Sequence, residues 1–377
     1  MKDRPKLLLF VSVDWFFCSH FLDRAVAAAR EGFDVVVVTH VAEHREKIEA
    51  AGLKVIHLAL DRKSVNPLLA LVALFRLCKI LRHERPSIVH NVALKPIILG
   101  SLATRLTGRV PIVNAVVGGG FIFSSNGLVA RLLRFPIGLA LKLLLNPSKS
   151  RVVFENKDDL KSFVSLGYVR SREAVLIRGA GVDMARYTQN EVAADIPLIV
   201  LPARLLWDKG IGEFVDAARL LKRDGVTARF VVVGGLDPGN RASIDEETLR
   251  RWREEALVEF WGFRSDMPAV LAKAAVVCLP SYREGLPKAL LEGMAAGLPC
   301  VTTDVPGCRE AVSDGVNGIL VSPRDMPSLA SALHRLIVDQ ATRQVMGTRG
   351  RAMAAQQFST EIVQIETVKL YRSLVTR

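Results

Sequence analysis

Two stretches of this chain, DVVVVT at Asp34–Thr39 and RFVVVGG at Arg229–Gly235, are apolar at successive positions. A strand with one face in water alternates apolar and polar side chains, so a strand apolar at every position must be covered on both faces. Shorter runs of the same kind recur at Lys6–Val13, Val55–Ala59, Ser87–His90, Ile112–Val117, Val152–Glu155 and Ala174–Ile177. A second series follows at Ile196–Pro202, Ala228–Val233, Val258–Gly262, Ala275–Leu279, Cys300–Thr303 and Gly318–Val321. Helical stretches separate them, which predicts βαβ units and an α/β architecture of doubly wound parallel sheets. With 377 residues the chain exceeds one ordinary core, so two domains are expected. The polar, aperiodic GAGVDMARYTQNEVAAD at Gly179–Asp195 reads as the linker. The expected division is a domain over 1–180, a second over 181–358, and a terminal helix over 359–377 that packs back on the first domain. Two Rossmann-like domains facing each other leave a central cleft at the carboxyl ends of their strands, where ligands bind in such folds.

Composition narrows the function. Half of the residues are apolar, as in a globular chain. Cys18, Cys78, Cys278, Cys300 and Cys308 show no CxxC spacing, which argues against a disulfide framework or zinc site and for a reducing, cytoplasmic compartment. No signal peptide and no charge-free apolar stretch long enough to span a bilayer is read. The first 178 residues hold 27 Lys and Arg against 14 Asp and Glu, whereas the rest holds 24 of each. Between Glu84 and Glu155 stand nine basic residues and no acidic one. Aromatics are sparse there, so nucleic acid is not the expected partner. An anionic membrane surface is, with peripheral docking through helices near Pro67–Arg85 and Leu128–Lys149, where Arg131, Arg134, Lys142 and Lys149 flank leucines.

The chemistry centres on REGLPKALLEGMAAGLPCV at Arg283–Val301. Glu284 and Glu292 lie eight residues apart, and Pro287 suits a first helical turn. Were the whole span helical, eight residues at ~1.5 Å rise would part the carboxylates by roughly 12 Å. That exceeds the ~5–9.5 Å at which paired carboxylates act on one glycosidic bond. It fits a grip on two ends of an extended ligand whose diphosphate rests on the helix N-terminus. In this reading Glu284 takes a sugar, the segment Gly285, Leu286, Pro287 and Lys288 frames the diphosphate region with its available backbone N–H groups, and Glu292 takes a ribose. Two solvated glutamates are the plain alternative. Arg204 and Lys209, in ARLLWDKGIGEF after a predicted strand, are cations suited to a leaving diphosphate.

Together the RxxxxK of Arg204 and Lys209, the GFRSDMPAVLAKAAVVCLPSYREGLPKALLEGMAAGLPCV run and DGVNGILV resemble retaining glycosyltransferases of the GT-B fold, the "glycosyl transferases group 1" family. Glu284 and Glu292 match that family's E-x7-E motif. In the first half, SVDWFFCSHFLDRA, IVHNVALKPIILGSLATRL and NAVVGGGFIF resemble its bacterial branch acting on polyprenyl-diphosphate-linked sugars in surface polysaccharide or glycan synthesis. The resemblance implies a nucleotide-sugar donor, usually UDP-linked, no cofactor and no essential metal. It also implies retention at the anomeric carbon and an acceptor bound by the first domain. One departure stands out. Many members carry His-x-His where this chain has His90-Asn91-Val92, so no role of the second histidine transfers to Val92.

Asp14, His20, His90 and Lys95 are acceptor-side candidates, each with a capping, buried or merely exposed role as the alternative. Gly118-Gly119-Gly120 reads as an acceptor-site loop or a plain turn, and Asn156 as a helix cap. A nucleotide-sugar 2-epimerase of the same architecture, and a glycosyltransferase with a soluble acceptor, remain open. The GxGxxG turn of a NAD-dependent oxidoreductase is missing from Phe10–His20 and Pro202–Gly212.

Overall fold

The computed structural model describes residues 4–60, 66–108, 110–117, 137–147, 149–188, 195–237, 239–240 and 242–375. Each predicted run is a strand, with ends displaced by no more than two residues. The first unit comprises residues 1–180 together with 360–377, and the second residues 181–359.

In the first unit the strands are β1 Lys6–Val13, β2 Asp34–His40, β3 Lys54–His57, β4 Ile88–Val92, β5 Ile112–Val116, β6 Ser150–Phe154 and β7 Ala174–Leu176. They form one parallel sheet in the order β3-β2-β1-β4-β5-β6-β7. The continuous apolar pattern has its expected cause. Leu7, Leu9 and Val11 of β1 enter one buried cluster, while the alternate Leu8 and Phe10 enter another across the sheet. The terminal helix Thr360–Val375 packs against the helix Leu22–Arg30 and brings Val363, Tyr371 and Leu374 into the β1 cluster.

The second unit holds β8 Leu198–Pro202, β9 Arg229–Val233, β10 Glu259–Phe260, β11 Val276–Leu279, β12 Cys300–Thr303 and β13 Gly318–Val321. Their order, β10-β9-β8-β11-β12-β13, repeats the order of the first six strands of the other sheet. Again the central strand divides its side chains, Leu198 and Val200 to one core, Ile199 and Leu201 to the other. The stretch read as a linker has fixed structure where it is described. Val182 bridges Ser359, Met184–Arg186 form a 3-10 turn, and Tyr187 is buried in the second unit's core.

Candidate active site

Chain reversals after β8 and β11 bring the second unit's charged side chains together. Past β8, Trp207–Lys209 form a 3-10 turn that ends at Gly210, from which the helix Ile211–Arg223 departs. Gly210 has φ +71°, and a Cβ there would stand 2.1 Å from the Pro280 carbonyl oxygen, so only glycine lets this turn lie against the segment after β11. The Tyr282 amide donates to the Asp208 carbonyl at 2.9 Å and fastens the two loops. Lys209 Nζ consequently lies 2.6 Å from Glu284 Oε1, with both side chains largely shielded from water. Ser281 Oγ donates to the same carboxylate oxygen at 2.7 Å. Behind it, Gly307 (φ +82°) fits only because it lacks a Cβ, which would meet the Gly285 carbonyl oxygen at 2.3 Å.

Leu286 anchors the loop by its burial in the core, and Pro287 is the N-cap of the helix Lys288–Ala295. Pro287 therefore precedes the first turn instead of standing within it. Glu284 lies on the loop ahead of the helix, so the spacing estimated for an all-helical span does not apply. Glu292 sits one turn inside, with Lys288 Nζ 3.8 Å away. Its partner from outside the motif is Tyr187, whose hydroxyl hydrogen-bonds the carboxylate. Burial pushes the Glu292 carboxyl above its ordinary pKa, and Lys288 and the Tyr187 hydroxyl offset that only in part. Burial also raises the Tyr187 phenol, so it remains a donor throughout the ordinary pH range. Arg204, at the end of β8, is ion-paired with Asp237 from the loop after β9.

Arg204, Lys209 and Glu284 thus come from the strand-end loops of one sheet, and Lys288 and Glu292 from the helix that follows. Chemically, the set combines cations, a carboxylate held by side chains that can exchange partners, and the start of a helix, whose dipole favours an anion. Comparison with known proteins gives this cluster its context. The family described as "Glycosyl transferases group 1" matches residues 196–339, and "Glycosyl transferase 4-like" matches residues 6–156. The chain is a glycosyltransferase whose residues 196–339 form a group 1 domain.

Its similarity to N,N'-diacetylbacillosaminyl-diphospho-undecaprenol alpha-1,3-N-acetylgalactosaminyltransferase of Campylobacter jejuni is 28% identity, over 94% of this chain and 96% of that protein. To the UDP-Gal:alpha-D-GlcNAc-diphosphoundecaprenol alpha-1,3-galactosyltransferase of Escherichia coli it is 25% identical, over 80% of this chain and 79% of the other. Anabaena HepE, solved in complex with UDP and glucose, superposes with a TM-score of 0.79 at 20% identity, covering 98% of this chain and 100% of that one. The glycosyltransferase thus has the GT-B fold.

Its first-unit candidates are placed differently. Asp14, at the end of β1, is fully buried. Its Oδ2 accepts the amides of Ala42, Glu43 and His44 at 2.7, 2.9 and 2.9 Å, and its Oδ1 accepts the Trp15 amide at 2.7 Å. Burial would raise its pKa, but these backbone donors outweigh it and hold the carboxylate below its ordinary range. Asp14 therefore ties down the turn at residues 42–44. His20 ends the helix Asp14–His20 and stacks on Phe16, ring centroids 4.3 Å apart. His90 is only 2% exposed, and its Nδ1 lies 2.6 Å from the Tyr371 hydroxyl of the terminal helix. Burial, reinforced by nearby Arg24, depresses its pKa to about 3, so it is neutral. Val92 is likewise fully buried. Lys95 lies half-buried in the first turn of the helix Leu94–Thr107, just after Ala93, whose φ is +72°. Gly118, Gly119 and Gly120 lie outside the described residues, as do Arg131 and Arg134. Asn156 is a cap, accepting the Asp159 amide at 2.8 Å.

Tyr187, Asp237, Ser281 and Tyr371 went unread in the sequence. Ser281, three residues before Glu284, had a local signal in its spacing. Tyr187 meets Glu292 across 105 positions of chain, and Tyr371 meets His90 across 281. No short pattern carries such pairings.

Proposed function

We propose that this glycosyltransferase moves a sugar from a UDP-sugar to a polyprenyl-diphosphate-linked saccharide at the inner face of the cell membrane, in surface polysaccharide or glycan synthesis. The observation that carries the reading is the Lys209–Glu284 pair beside the Tyr187–Glu292 pair, flanking the start of one helix. The two relatives named above, matched over most of their length, both carry diphospho-undecaprenol in their names, which supports the acceptor class.

In this reading Glu292 accepts from the ribose hydroxyls while Tyr187 fixes the carboxylate. The diphosphate meets the amides at Gly285–Lys288 and the cations Arg204 and Lys209. Glu284 accepts from hydroxyls of the transferred sugar. Transfer retains configuration. The bond from the anomeric carbon to the UDP oxygen breaks, the acceptor oxygen bonds to the same face, and the acceptor proton passes to the departing phosphate. Charge grows on that phosphate as the bond breaks, where preorganised cations count most. Arg204 and Lys209 fill the place of a divalent ion, so turnover persists in excess EDTA. Complete loss with EDTA, restored by Mg²⁺ or Mn²⁺, would contradict this.

The test is a screen of radiolabelled UDP- and GDP-sugars with polyprenyl-diphosphate-linked saccharides. Label moves from a UDP-sugar into the lipid fraction. Conversion of the UDP-sugar without acceptor would favour the 2-epimerase instead, and label entering only free oligosaccharides would favour a soluble acceptor.

A further inference from the structure

The helix Pro67–Glu84 divides its surface in a way that an ordinary helix of a doubly wound domain does not. At 100° per residue, Ala73, Leu77, Cys78 and Leu81 form the face turned into the core. The opposite face carries Leu68, Leu69, Leu71, Val72 and Phe75, which are between 49% and 68% exposed. On that same face, further along the helix, stand the exposed Arg76, Lys79 and Arg82. Its first two turns are therefore apolar toward solvent and its last turns are basic. Lys79 Nζ lies 4.7 Å from the centre of the Phe75 ring, at the junction. The helix's only carboxylate, Glu84, is turned inward and held by Lys54 at 2.6 Å and Lys6 at 3.0 Å. The neighbouring helix Leu94–Thr107 adds exposed Leu106 and Arg105, and the Arg105 guanidinium donates to the carbonyl of Leu143, itself exposed.

We propose that the first two turns of Pro67–Glu84 insert into the interface of an anionic bilayer, with Arg76, Lys79 and Arg82 at the headgroups. This rests on the lipid-linked acceptor proposed above and names the surface that meets it. The charge pattern selects the occupant. A five-residue apolar stripe suits a shallow interfacial helix, and cations at one end with no exposed carboxylate suit acidic headgroups. A second copy of the chain would set the same cations against each other. The lengthwise gradient predicts a tilted helix, its amino end deeper. This assigns the docking to one of the two segments expected from the sequence, the one near Pro67–Arg85; part of the other, with Arg131 and Arg134, lies outside the described residues.

The experiment is co-sedimentation of the full chain with vesicles of phosphatidylethanolamine and phosphatidylglycerol, and with phosphatidylcholine alone. Wild type sediments with the former and far less with the latter. Leu68→Gln/Leu71→Gln/Phe75→Gln lowers partitioning by at least about tenfold, the scale expected when apolar area leaves the interface. Arg76→Glu/Lys79→Glu abolishes the preference for the anionic lipid. All substituted side chains are exposed, so unchanged melting temperatures establish that the variants are folded. A triple variant that sediments like wild type overturns the proposal. Equal binding of wild type to both lipids also does, as does a stripe-dependent dimer that ignores vesicles. Sugar transfer to acceptor dispersed in detergent separates the two readings. Transfer without vesicle binding removes the docking surface and leaves the function, whereas stripe-dependent binding without transfer does the reverse.

Discussion

Asp14 and Glu284 are both carboxylates that follow a strand of a parallel sheet, yet they are held in opposite ways. Four backbone amides claim Asp14, which is fully buried. Glu284 is held by the side chains of Lys209 and Ser281 on a half-buried loop. Backbone donors are fixed by the fold and have nowhere else to turn, so a carboxylate bound by them is part of the scaffold. Side-chain donors can rotate toward a ligand, so a carboxylate bound by them can exchange partners. The same strand order recurs in both units. Function is thus assigned by what the strand-end loops do with their polar groups, not by the topology beneath them.

The largest expected effect breaks the comparison if it fails. Arg204→Ala/Lys209→Ala should lower kcat by about two to three orders of magnitude, the scale of losing preorganised electrostatic groups, with melting temperature nearly unchanged. A double variant with wild-type turnover would remove the phosphate grip. Asp14→Ala should act the other way round. It removes the carboxylate that accepts four backbone amides, at a cost of roughly 1–3 kcal/mol in unfolding free energy. The KM for donor should hold in the folded fraction, and chemical denaturation alongside initial-rate kinetics tests both halves.

A third prediction concerns acid. Burial alone would raise Glu84's pKa, but Lys54, Lys6 and His83 bring it down to about 2. A folded pKa below the unfolded value gives stability that is present above about 4.5 and lost as pH falls toward 2, worth roughly 3 kcal/mol for this shift. Glu84→Gln should lower stability at neutral pH and flatten its decline between those limits, and denaturation at several pH values reads this. The smallest effect is the sharpest. Tyr187→Phe removes one hydrogen bond to Glu292 and should weaken UDP binding about fivefold, near 1 kcal/mol, with kcat unchanged. An equal fall in kcat would mean that Tyr187 acts on the reacting bond.

The sheets were legible because their strands are apolar on both faces, a local property of runs such as Leu7–Val11. The motif carrying Glu284 and Glu292 was legible because its spacing lies in one short segment. What holds those carboxylates was legible only in part. Lys209 reaches Glu284 across 75 positions, and the close approach depends on Gly210 lying under the Pro280 carbonyl. Tyr187 was hidden inside a stretch whose polarity and lack of period suggested a linker, although its ring is in the core. In the first unit, polar residues near strand ends suggested an acceptor site. Asp14 is held by four backbone amides and His90 Nδ1 by Tyr371, and the sequence does not reveal which polar residue has such partners.

Equilibrium binding of UDP tests the central claim, that the nucleotide is gripped by the second unit's strand-end cluster, most directly. Titration calorimetry would compare wild type with Lys209→Ala/Glu292→Gln and with Asp14→Asn, each at a temperature where melting establishes that it is folded. The account predicts at least about a tenfold loss of UDP affinity in the double variant and wild-type affinity for Asp14→Asn. Wild-type affinity in the double variant, or an equal loss in Asp14→Asn, would contradict it.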